Sequence, residues 1–375
     1  MTGRAPRLLI LSPIASHPAD QGNAARIQGL GAALMARGIR CEFLHLATEG
    51  SAPSQQAAMA GFWHALHELP PPVTVEPGLP GTWGIDDWCP PDLAGRLAAL
   101  QRARRYDAVL VNYVWLSAAL DGAGDAFRIL DTHDLFGGRD AVAREQGLDP
   151  SWFFTTLAEE SRGLARADLV LAIQAEEAAE LRRRTGREVA VLGHMPPLRF
   201  LDAAPARPVM PFGYLGSANP WNLAAVHALD AALAGEAELP WLLAGRILRR
   251  ADLRLASRPR RMPNLADVAG FYAAVDCVLN PMAGGTGLKV KTVEALAFGN
   301  PVLGTADAFA GLPAEHPGHR CGDLPALVML MREFRRSEAF RAELRLASRL
   351  MALRHAAGVS AAQDGLAARL RAVAA

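Results

Sequence analysis

Short apolar runs alternate with amphipathic stretches along the first half of the chain. The first run, RLLIL at residues 7–11, has the length of a strand, and apolar residues on one face predict a helix over residues 23–37. Continuous apolar strands separated by helices are typical of a parallel sheet that is covered on both faces. Further strands are predicted at residues 41–46, 107–112, 127–131, 168–173 and 188–192, and a further helix at 151–167.

A proline-rich segment separates this half from a second half of the same kind. Residues 195–211 read MPPLRFLDAAPARPVMP, and because five prolines exclude a regular element, residues 196–211 are predicted to be a linker. Two Rossmann-like, doubly wound α/β domains, 1–195 and 212–355, are therefore expected to face a central cleft. Residues 356–375 are expected to form a C-terminal helix that packs back on the first domain. The second half has predicted strands at 212–216, 241–245, 276–280 and 301–305, and predicted helices at 221–233, 265–274 and 289–298.

The composition narrows the class of protein. The chain has 375 residues, of which 51% are apolar and 21% charged, and its net charge is +1. It is large enough for two packed domains, and it lacks the basic excess of a nucleic-acid-binding protein, so no nucleic-acid partner is expected. The four cysteines form no CxxC pair, and no apolar stretch has the length of a signal-peptide core or a membrane span. We therefore expect a cytoplasmic protein without a zinc site or a disulfide framework.

A glycine-rich turn follows the strand predicted at residues 276–280. It reads PMAGGTGLKVK from residue 281 and leads into a predicted helix. Glycines let a backbone approach a ligand closely, and a helix start offers free N–H groups and the positive end of a dipole. This arrangement predicts a site for a phosphate or a diphosphate. The predicted binding residues of the turn are Gly284, Gly285, Thr286, Gly287 and Leu288.

Charged residues at the same helix start support that prediction. Lys289 and Lys291 lie in the first turn, where positive charge is unfavourable unless an anion is bound. Glu294 lies further along, where its carboxylate can accept hydrogen bonds from both hydroxyls of a ribose. The segment therefore predicts a nucleoside-diphosphate site; the alternative is a plain glycine turn with solvated lysines. Its spacing matches neither a P-loop nor a GxGxxG dinucleotide motif.

The segment GTGLKVKTVEALAFGNPVLGT resembles the nucleotide-sugar site of retaining glycosyltransferases of family four, which have the GT-B fold. Weaker matches follow the order of that family: SPIASHPADQGNAARIQGLGAAL, DTHDLFGGRD, EESRGLARADLVLAIQAEEAAEL and FGYLGSANPWNLAAV. Together they cover most of residues 7–312. The resemblance implies a hexosyltransferase that moves a sugar, with retention, from a UDP-sugar or GDP-sugar to a hydroxyl of a glycan or a lipid-linked acceptor. Its implied role is polysaccharide, lipopolysaccharide or glycolipid assembly.

The resemblance also implies roles for residues of the first domain. His133, at the end of a predicted strand, matches a histidine beside the transferring sugar, and Asp134 is expected to orient it or to touch the acceptor. Gly22 and Asn23 are expected to face the diphosphate, with Asn23 as the N-cap of the first helix; plain capping is the alternative. Arg26, one turn further on, is expected to reach either an anion or solvent.

Two departures from the family pattern change how charge is assigned. Thr286 stands where relatives carry the first of two glutamates, which puts the identity of the donor sugar in doubt. An arginine and a lysine that often clamp the diphosphate in relatives fall at about Ser217 and Asn222. The positive charge must therefore come from elsewhere, with Lys289 assigned as the catalytic residue that neutralises the leaving group. The donor site of the second domain is accordingly assigned to Lys289, Lys291, Arg246, Glu294 and Gly216.

Several interpretations stay open at this level. No DxD-like pair stands at a suitable position, so neither a metal nor a cofactor is expected besides the donor. A nucleotide-sugar epimerase of the same fold and a non-catalytic glycan-binding relative are the rival functions. Clustered arginines, for example within residues 332–354, predict either solvated helix faces or peripheral contact with the inner membrane surface. Trp83, Trp88 and Trp152 predict either a platform for a sugar ring or ordinary packing.

Overall fold

A computed structural model describes residues 4–70, 76–150, 152–201, 210–263, 265, 267–285 and 287–375. Contacts within the chain divide it into two compact units. Unit 1 comprises Met1–His194 and Gly358–Ala375, and unit 2 comprises Met195–Ala357. Each unit is built around one parallel β-sheet, which confirms the predicted α/β fold class.

Unit 1 contains a seven-stranded sheet whose strands all run parallel. Its strands are β1 (Arg7–Ser12), β2 (Arg40–Leu46), β3 (Leu66–Leu69), β4 (Ala108–Asn112), β5 (Phe127–Asp131), β6 (Leu169–Ala172) and β7 (Glu188–Val191). Its helices are α1 (Gly22–Ala36), α2 (Pro53–Phe62), α3 (Leu93–Arg104), α4 (Arg139–Glu145), α5 (Leu157–Leu164) and α6 (Ala175–Thr185), and a 3₁₀ segment covers Val114–Gly122.

Unit 2 contains a five-stranded parallel sheet. Its strands are β8 (Met210–Leu215), β9 (Trp241–Ala244), β10 (Arg260–Met262), β11 (Val275–Asn280) and β12 (Val302–Gly304). Its helices are α7 (Pro220–Ala232), α8 (Val268–Ala274), α9 (Val290–Ala297), α10 (Leu324–Arg336) and the start of α11 (Glu338–Val373). Short 3₁₀ segments cover Arg246–Arg249, Asp307–Phe309 and Pro317–His319.

The two sheets share one strand order. It is β3-β2-β1-β4-β5 in unit 1, extended by β6 and β7, and β10-β9-β8-β11-β12 in unit 2. The chain order reverses between β1 and β4 in the first sheet and between β8 and β11 in the second. Ligands of such sheets bind beyond the carboxyl ends of the strands at this switch point. The topology therefore singles out the loops that follow Ser12, Asn112, Leu215 and Asn280.

Successive residues of β1 enter opposite faces of its sheet. Leu9 belongs to one buried cluster, and Leu8 belongs to another. Burial on both faces explains why the strand reads as a continuous apolar run. The end of α11 contributes Leu366 and Leu370 to the cluster that contains Leu8.

α11 is a single helix of 36 residues, and the boundary between the units falls inside it at Gly358. The C-terminal helix predicted over residues 356–375 is thus the last part of a longer helix that begins at Glu338. In the described part of the chain, no helix combines the length and the apolar character that crossing a membrane requires.

The helix predicted over residues 151–167 is too long. α5 covers only Leu157–Leu164, because Thr156 caps its start: the Thr156 hydroxyl accepts a hydrogen bond from the N–H of Glu159 at 3.1 Å. Residue 151 lies outside the described residues. Trp152 has a φ of 65°, which a right-handed helix does not allow.

The linker predicted over residues 196–211 is also too long at its end. β8 begins at Met210 and takes in Pro211. The main-chain N–H groups of Arg199 and Leu201 donate to the carbonyls of Ala297 and Phe298, so this part of the segment is held against the end of α9. Residues 202–209 lie outside the described residues.

Candidate functional site

The glycine turn lies at the switch point of the second sheet, directly after β11. Gly284, Gly285 and Gly287 have φ angles of 71°, 84° and 75°, a region that residues with a Cβ rarely adopt. The N–H of Gly284 donates to the Asp307 carboxylate at 2.6 Å, so this amide is already used by the protein. Thr286, which was assigned to the site, lies outside the described residues.

Lys289 holds the turn together. Its ammonium donates to the carbonyl of Gly287 at 2.8 Å and to that of Gly285 at 3.2 Å, and the residue is only 9% exposed. An ammonium that bridges carbonyls of a loop fixes their direction, which leaves the amides of the loop turned away from it. Lys289 thus shapes the turn, and its ammonium lies within the loop.

The start of α9 is uncapped. Its N-cap position is Lys289, which makes no side-chain capping bond, and the first turn contains no acidic residue. Among the described residues, none accepts a hydrogen bond from the backbone N–H of Leu288 or Val290. These amides and the helix dipole create a positive potential at this helix end, which an anionic group would satisfy.

Lys291 points back toward the end of β8. Its ammonium donates to the Tyr214 hydroxyl at 2.6 Å and to the Asn222 side-chain carbonyl, and it lies 4.5 Å from the centre of the Tyr214 ring. Asn222 is oriented from its other end, because its amide donates to the carbonyl and hydroxyl of Ser217 at 3.1 and 2.9 Å. All the partners of this ammonium are uncharged, and no carboxylate of the described chain lies within ion-pair distance of it.

Because no carboxylate of the described chain pairs with Lys291, nothing opposes the effect of burial on its pKa. Burial, reinforced by the nearby charge of Lys289, lowers the pKa of Lys291 to about 7. A lysine with this pKa is only partly protonated at neutral pH, because the protein offers its ammonium form no counter-charge, and an anionic ligand would favour the protonated form. Lys289 and Lys291 are also the only lysines in a chain with 39 lysine and arginine residues together. A lysine can change its protonation state when buried, whereas an arginine stays charged.

Glu294 lies one turn further along α9 and is half-buried. Its carboxylate accepts a hydrogen bond from the Tyr272 hydroxyl at 2.8 Å, and Tyr272 is itself fixed by stacking on Phe298 with ring centres 4.5 Å apart. Burial raises the pKa of Glu294, with a smaller contribution from Asp267, while the Tyr272 bond opposes it. The carboxylate is therefore held rigidly, which suits a group that must meet a ligand hydroxyl.

Gly216 and Arg246 lie beside the ends of β8 and β9. The N–H of Gly216 donates to the carbonyl of Ala244 at 3.1 Å, and a Cβ on the neighbouring Gly245 would lie only 2.5 Å from the carbonyl oxygen of Gly216. The glycine at 245 thus permits a close backbone approach. Arg246 opens the 3₁₀ segment that follows and is half-buried.

In unit 1, Arg26 is neither solvated nor available to an external anion. The side chain is 4% exposed and forms two hydrogen bonds with the Asp131 carboxylate, at 2.7 and 3.0 Å. A further N–H donates to the carbonyl of Gly193 at 3.1 Å. Because Arg26 compensates its burial, the pKa of Asp131 is lowered. Both expectations for Arg26 are therefore wrong, since its partner comes from a strand 105 residues away.

His133 lies at the carboxyl end of the first sheet in a restricted position. Its Nε2 lies 2.7 Å from the Asn112 carbonyl oxygen, its ring stacks on Tyr113 at 4.3 Å, and its φ is 61°. The Asn112 amide group donates to the carbonyl of Leu11, so its oxygen must face the histidine. Nε2 therefore carries the proton, and Nδ1 is left as a hydrogen-bond acceptor. Burial lowers the pKa of His133 to about 4, so the ring is neutral at physiological pH.

The other residues assigned in unit 1 have more local roles. The Asp134 carboxylate lies 3.2 Å from Arg139 and accepts a hydrogen bond from the N–H of Leu135. Asn23 is not the N-cap: α1 begins at Gly22 after Gln21, and the Asn23 side chain accepts from the N–H of Ala24 at 2.8 Å. The N-cap assignment is therefore wrong by two positions.

Comparisons with known proteins divide clearly between sequence and structure. No family model and no curated protein matches the chain. The solved structure of the sucrose-phosphate synthase of Thermosynechococcus elongatus is similar to this chain, with a TM-score of 0.73 at 18% identity, over 98% of this chain and 99% of that one. A glycosyltransferase from Rickettsia africae ESF-5 gives a TM-score of 0.65 at 10% identity over 98% of both chains. Anabaena HepE, solved with UDP-glucose, gives 0.68 at 15% identity over 98% and 99%.

The chain has the GT-B fold. This confirms the fold that the glycine-turn motif implied, at identities that relate the architectures alone. Within this GT-B chain, the structure brings Lys291 to Asn222, the position where the resemblance places a lysine in relatives. The amine that contacts residue 222 in this chain thus comes from α9.

Sequence reasoning missed two residues that shape the unit 2 site, Tyr214 and Tyr272, and the role of a third, Asn222. Tyr214 and Asn222 hold the Lys291 ammonium, and Tyr272 holds the Glu294 carboxylate. Asn222 was noted only as a position where relatives carry a lysine, Tyr214 was visible only as a strand residue, and Tyr272 lies 22 residues before its partner. The available signal was the presence of just two lysines in the chain, both of them in this segment.

Proposed function

We propose that the protein is a nucleotide-sugar-dependent glycosyltransferase that moves a sugar from a UDP-sugar or GDP-sugar to an acceptor hydroxyl with retention. The observation that carries the proposal is the uncapped start of α9 with the uncompensated Lys291 ammonium beside it. Amides at a helix start together with a cation complement a diphosphate. Anabaena HepE has been solved in complex with UDP and with UDP-glucose, which supports the same class of donor.

The proposed mechanism assigns one task to each group. The amides of Leu288 and Val290 and the Lys291 ammonium bind the diphosphate and take up the negative charge that grows on it as the sugar departs. Lys289 keeps the turn in shape for this purpose. Glu294, positioned by Tyr272, accepts hydrogen bonds from the ribose hydroxyls.

His133 offers a different kind of contact. Its Nδ1 is the acceptor side of a neutral ring, so it is suited to accept a hydrogen bond from a hydroxyl of the transferred sugar. Because Asn112 and Tyr113 fix the ring on two sides, this acceptor has a single direction. We assign His133 to sugar positioning, and Asp134, which Arg139 restrains, to the loop that supports it.

The deciding experiment is calorimetric titration with UDP and GDP of the wild type and of Glu294→Ala. We expect the nucleotide that binds to lose about tenfold in affinity in the variant, because two charge-assisted hydrogen bonds are lost. Tyr272→Phe should lose less, since the carboxylate remains but is less well held. Glu338→Gln, at the exposed start of α11, is the matched control and should bind as the wild type does. Equal affinity in Glu294→Ala would remove the ribose assignment.

Incubation with UDP-sugars and GDP-sugars separates the rival functions. Slow release of free nucleoside diphosphate supports transfer, isomerisation of the sugar supports an epimerase, and binding without turnover supports a glycan-binding relative. The uncapped start of α9 and the Lys291 amine in unit 2 support the first, because they would take up the charge of a diphosphate leaving group.

The finer expectations concern the acceptor and the membrane. A glycan or lipid-linked acceptor and peripheral contact with the cytoplasmic face of a membrane belong to the proposal. The supporting feature for contact is a row of exposed leucines on α11, Leu346, Leu350 and Leu353. Flotation with anionic vesicles tests it: Leu350→Ser should reduce binding, and equal flotation of the variant would count against this surface.

A further inference from the structure

Unit 1 contains a large cavity that the proposed mechanism does not use. Its volume is about 1170 Å³, and it lies beyond the carboxyl ends of four neighbouring strands, β3, β2, β1 and β4. Pro70, Thr48, Pro13 and Trp115, which follow these strands in that order, all line it. A cavity of this size at the switch point of a doubly wound sheet is where a small molecule is expected to bind.

Tryptophans form its apolar wall. Trp88 has ring centres 5.4 Å from Trp83, 5.7 Å from Trp115 and 6.4 Å from Trp152, all in edge-to-face contacts. Trp152 remains 43% exposed although it is the largest apolar side chain type, and it is held at a positive φ. Its ring centre lies 5.1 Å from that of Trp115, so contact with the wall fixes the direction of the Trp152 side chain while its exposed part stays open to a molecule in the cavity.

The wall is connected to His133 through stacked rings. His133 stacks on Tyr113 at 4.3 Å, and Tyr113 stacks on Trp115 at 4.4 Å, with interplanar angles of 21° and 17°. A molecule against Trp115 thus lies two ring spacings from the histidine that we assign to the sugar. The cavity is therefore placed to hold the body of a molecule whose hydroxyl is near that sugar.

The rim of the cavity carries negative charge. Five carboxylates and one guanidinium line it. Three of the carboxylates have internal partners: Asp86 pairs with Arg162 and Arg166, Asp87 accepts from the N–H groups of Gly78 and Gly84, and Asp92 pairs with Arg96, the guanidinium of the rim.

The other two rim carboxylates, Glu49 and Glu76, are exposed, and no ion pair within the described chain involves them. Their charge acts on whatever enters the cavity, since an unpaired carboxylate repels an anion and attracts a cation.

We propose that this cavity binds the acceptor, and that the acceptor has a flat, apolar ring system without negative charge. The proposal rests on the proposed transferase function, and it replaces the glycan or lipid-linked acceptor that the family resemblance implied. Tryptophan faces favour flat rings, and the carboxylate rim disfavours the phosphate of a lipid-linked acceptor. The cavity binds an uncharged acceptor molecule. An amino group at the end of that molecule nearest the rim strengthens binding.

Three probes that share one ring system test the charge requirement: naphthol, hydroxynaphthoate and (aminomethyl)naphthol, titrated calorimetrically into the full chain without nucleotide. We expect hydroxynaphthoate to bind about tenfold more weakly than naphthol and the amine at least as tightly. The double variant Glu49→Gln/Glu76→Gln should bring the affinities for hydroxynaphthoate and for the amine closer to the affinity for naphthol. Glu145→Gln, on exposed α4, should change neither. Equal affinity for the anionic and neutral probes would overturn the charge assignment.

Trp152→Ala tests the wall. The side chain is exposed, so the variant should fold, which a thermal melt checks, while its affinity for naphthol falls by about tenfold. Leu157→Ala removes an apolar side chain that is 52% exposed and does not line the cavity, and it should bind naphthol as the wild type does. Unchanged affinity in folded Trp152→Ala would overturn the proposal.

Titration of the same protein preparations with UDP and GDP distinguishes a failure of the acceptor proposal from a failure of the transferase proposal. If UDP or GDP binds but naphthol does not, the acceptor proposal fails and the transferase proposal stands. If naphthol binds as expected but no nucleotide binds, the transferase proposal fails, and the cavity is a binding site without the role of an acceptor site.

Discussion

The switch points of the two sheets share one topology, but the buried cation near each has a different kind of partner. In unit 1, Arg26 is buried and both oxygens of Asp131 neutralise it. In unit 2, Lys291 meets only the uncharged oxygens of Tyr214 and Asn222, and its pKa is lowered to about 7. The strand order alone does not make a binding site. A cation that the protein compensates supports the fold, and one that it leaves uncompensated is available to an anionic ligand.

The loop that contains His133 and the glycine turn also differ in the hydrogen-bonding groups that they leave available to a ligand. Near Arg26, the ring of His133 is bonded to Asn112 and stacked on Tyr113, so only one of its nitrogen atoms is free for a substrate. At the glycine turn, Lys289 donates to carbonyl oxygens, and the amides of Leu288 and Val290 have no acceptor among the described residues. At these two loops, unit 1 therefore offers an acceptor nitrogen to a substrate, and unit 2 offers donor N–H groups. This matches the proposed division between an uncharged acceptor molecule and an anionic donor.

The largest expected effect tests the compensated cation. Arg26→Met leaves the Asp131 carboxylate buried without its cation, which should lower the free energy of unfolding by about 3–5 kcal/mol. Urea denaturation followed by circular dichroism measures it. The double variant Arg26→Met/Asp131→Leu should recover most of the loss, because no charge stays buried. A loss below about 1 kcal/mol in the single variant would contradict the comparison.

Lys291→Met should show the opposite behaviour. Nucleotide affinity should fall at least tenfold, corresponding to about 1.5–3 kcal/mol for a hydrogen bond to a charged group, while the melting temperature stays equal or rises. The rise is expected because the variant removes an uncompensated charge from a poorly solvated position. Lys291→Arg should not restore full affinity, since a planar guanidinium does not fit between Tyr214 and Asn222 as an ammonium does. Strong destabilisation of Lys291→Met with unchanged affinity would reverse our assignment.

The pH dependence sharpens the comparison, because stability and binding should change in opposite directions. The folded pKa of Lys291 is lowered, so the unfolded chain binds more protons above pH 7, and the lysine's contribution to stability should rise as pH increases from about 7 toward 10. Affinity for a UDP-sugar should fall over the same range, because the ligand needs the protonated amine.

Amine labelling followed by mass spectrometry can read this titration directly. Lys289 and Lys291 are the only lysines, so each modified site is identified without ambiguity. Lys291 should react with a midpoint near pH 7 and be protected by nucleotide. A midpoint near that of an ordinary lysine, together with pH-independent affinity, would contradict the assignment.

The smallest expected effect concerns the turn itself. Gly285 has a φ of 84°, and a Cβ there would meet no atom closer than 3.7 Å, so Gly285→Ala adds backbone strain of about 1–2 kcal/mol without a clash. We expect a modest loss of stability and a few-fold loss of nucleotide affinity by calorimetry. Gly29→Ala is the control, because its Cβ meets nothing within 4 Å in the middle of α1 and should stabilise the chain slightly. Equal changes in stability and in nucleotide affinity in both variants would show that the turn does not require glycine at position 285.

The strands that could be predicted are those that read as apolar runs, and most of them are buried on both faces. β5 lies where the apolar run indicated, and β4 and β11 differ by one residue at one end. β3 and β10 were missed. They read LHEL and RRM, and they lie at sheet edges, where one neighbour and partial exposure leave no apolar run to detect.

Helix ends were predictable only where a cap could be read. Thr156 and Glu159 have the spacing of a capping pair, which would have placed the start of α5 correctly. The start of α1 has no such signal, because Gln21 makes no side-chain capping bond and Asn23, the better capping residue, lies inside the helix. Local propensity therefore pointed to the wrong residue.

By itself, the sequence determined the two α/β halves, the position of the glycine turn after a central strand and the concentration of both lysines beside it. Those features depend on local periodicity and on the conformations that glycine allows. Only the tertiary structure decided which charges are compensated. Arg26 meets a carboxylate 105 residues away, and Lys291 meets a tyrosine 77 residues away. The energy of a charge depends on its partners and its exposure to water, and long-range packing sets both.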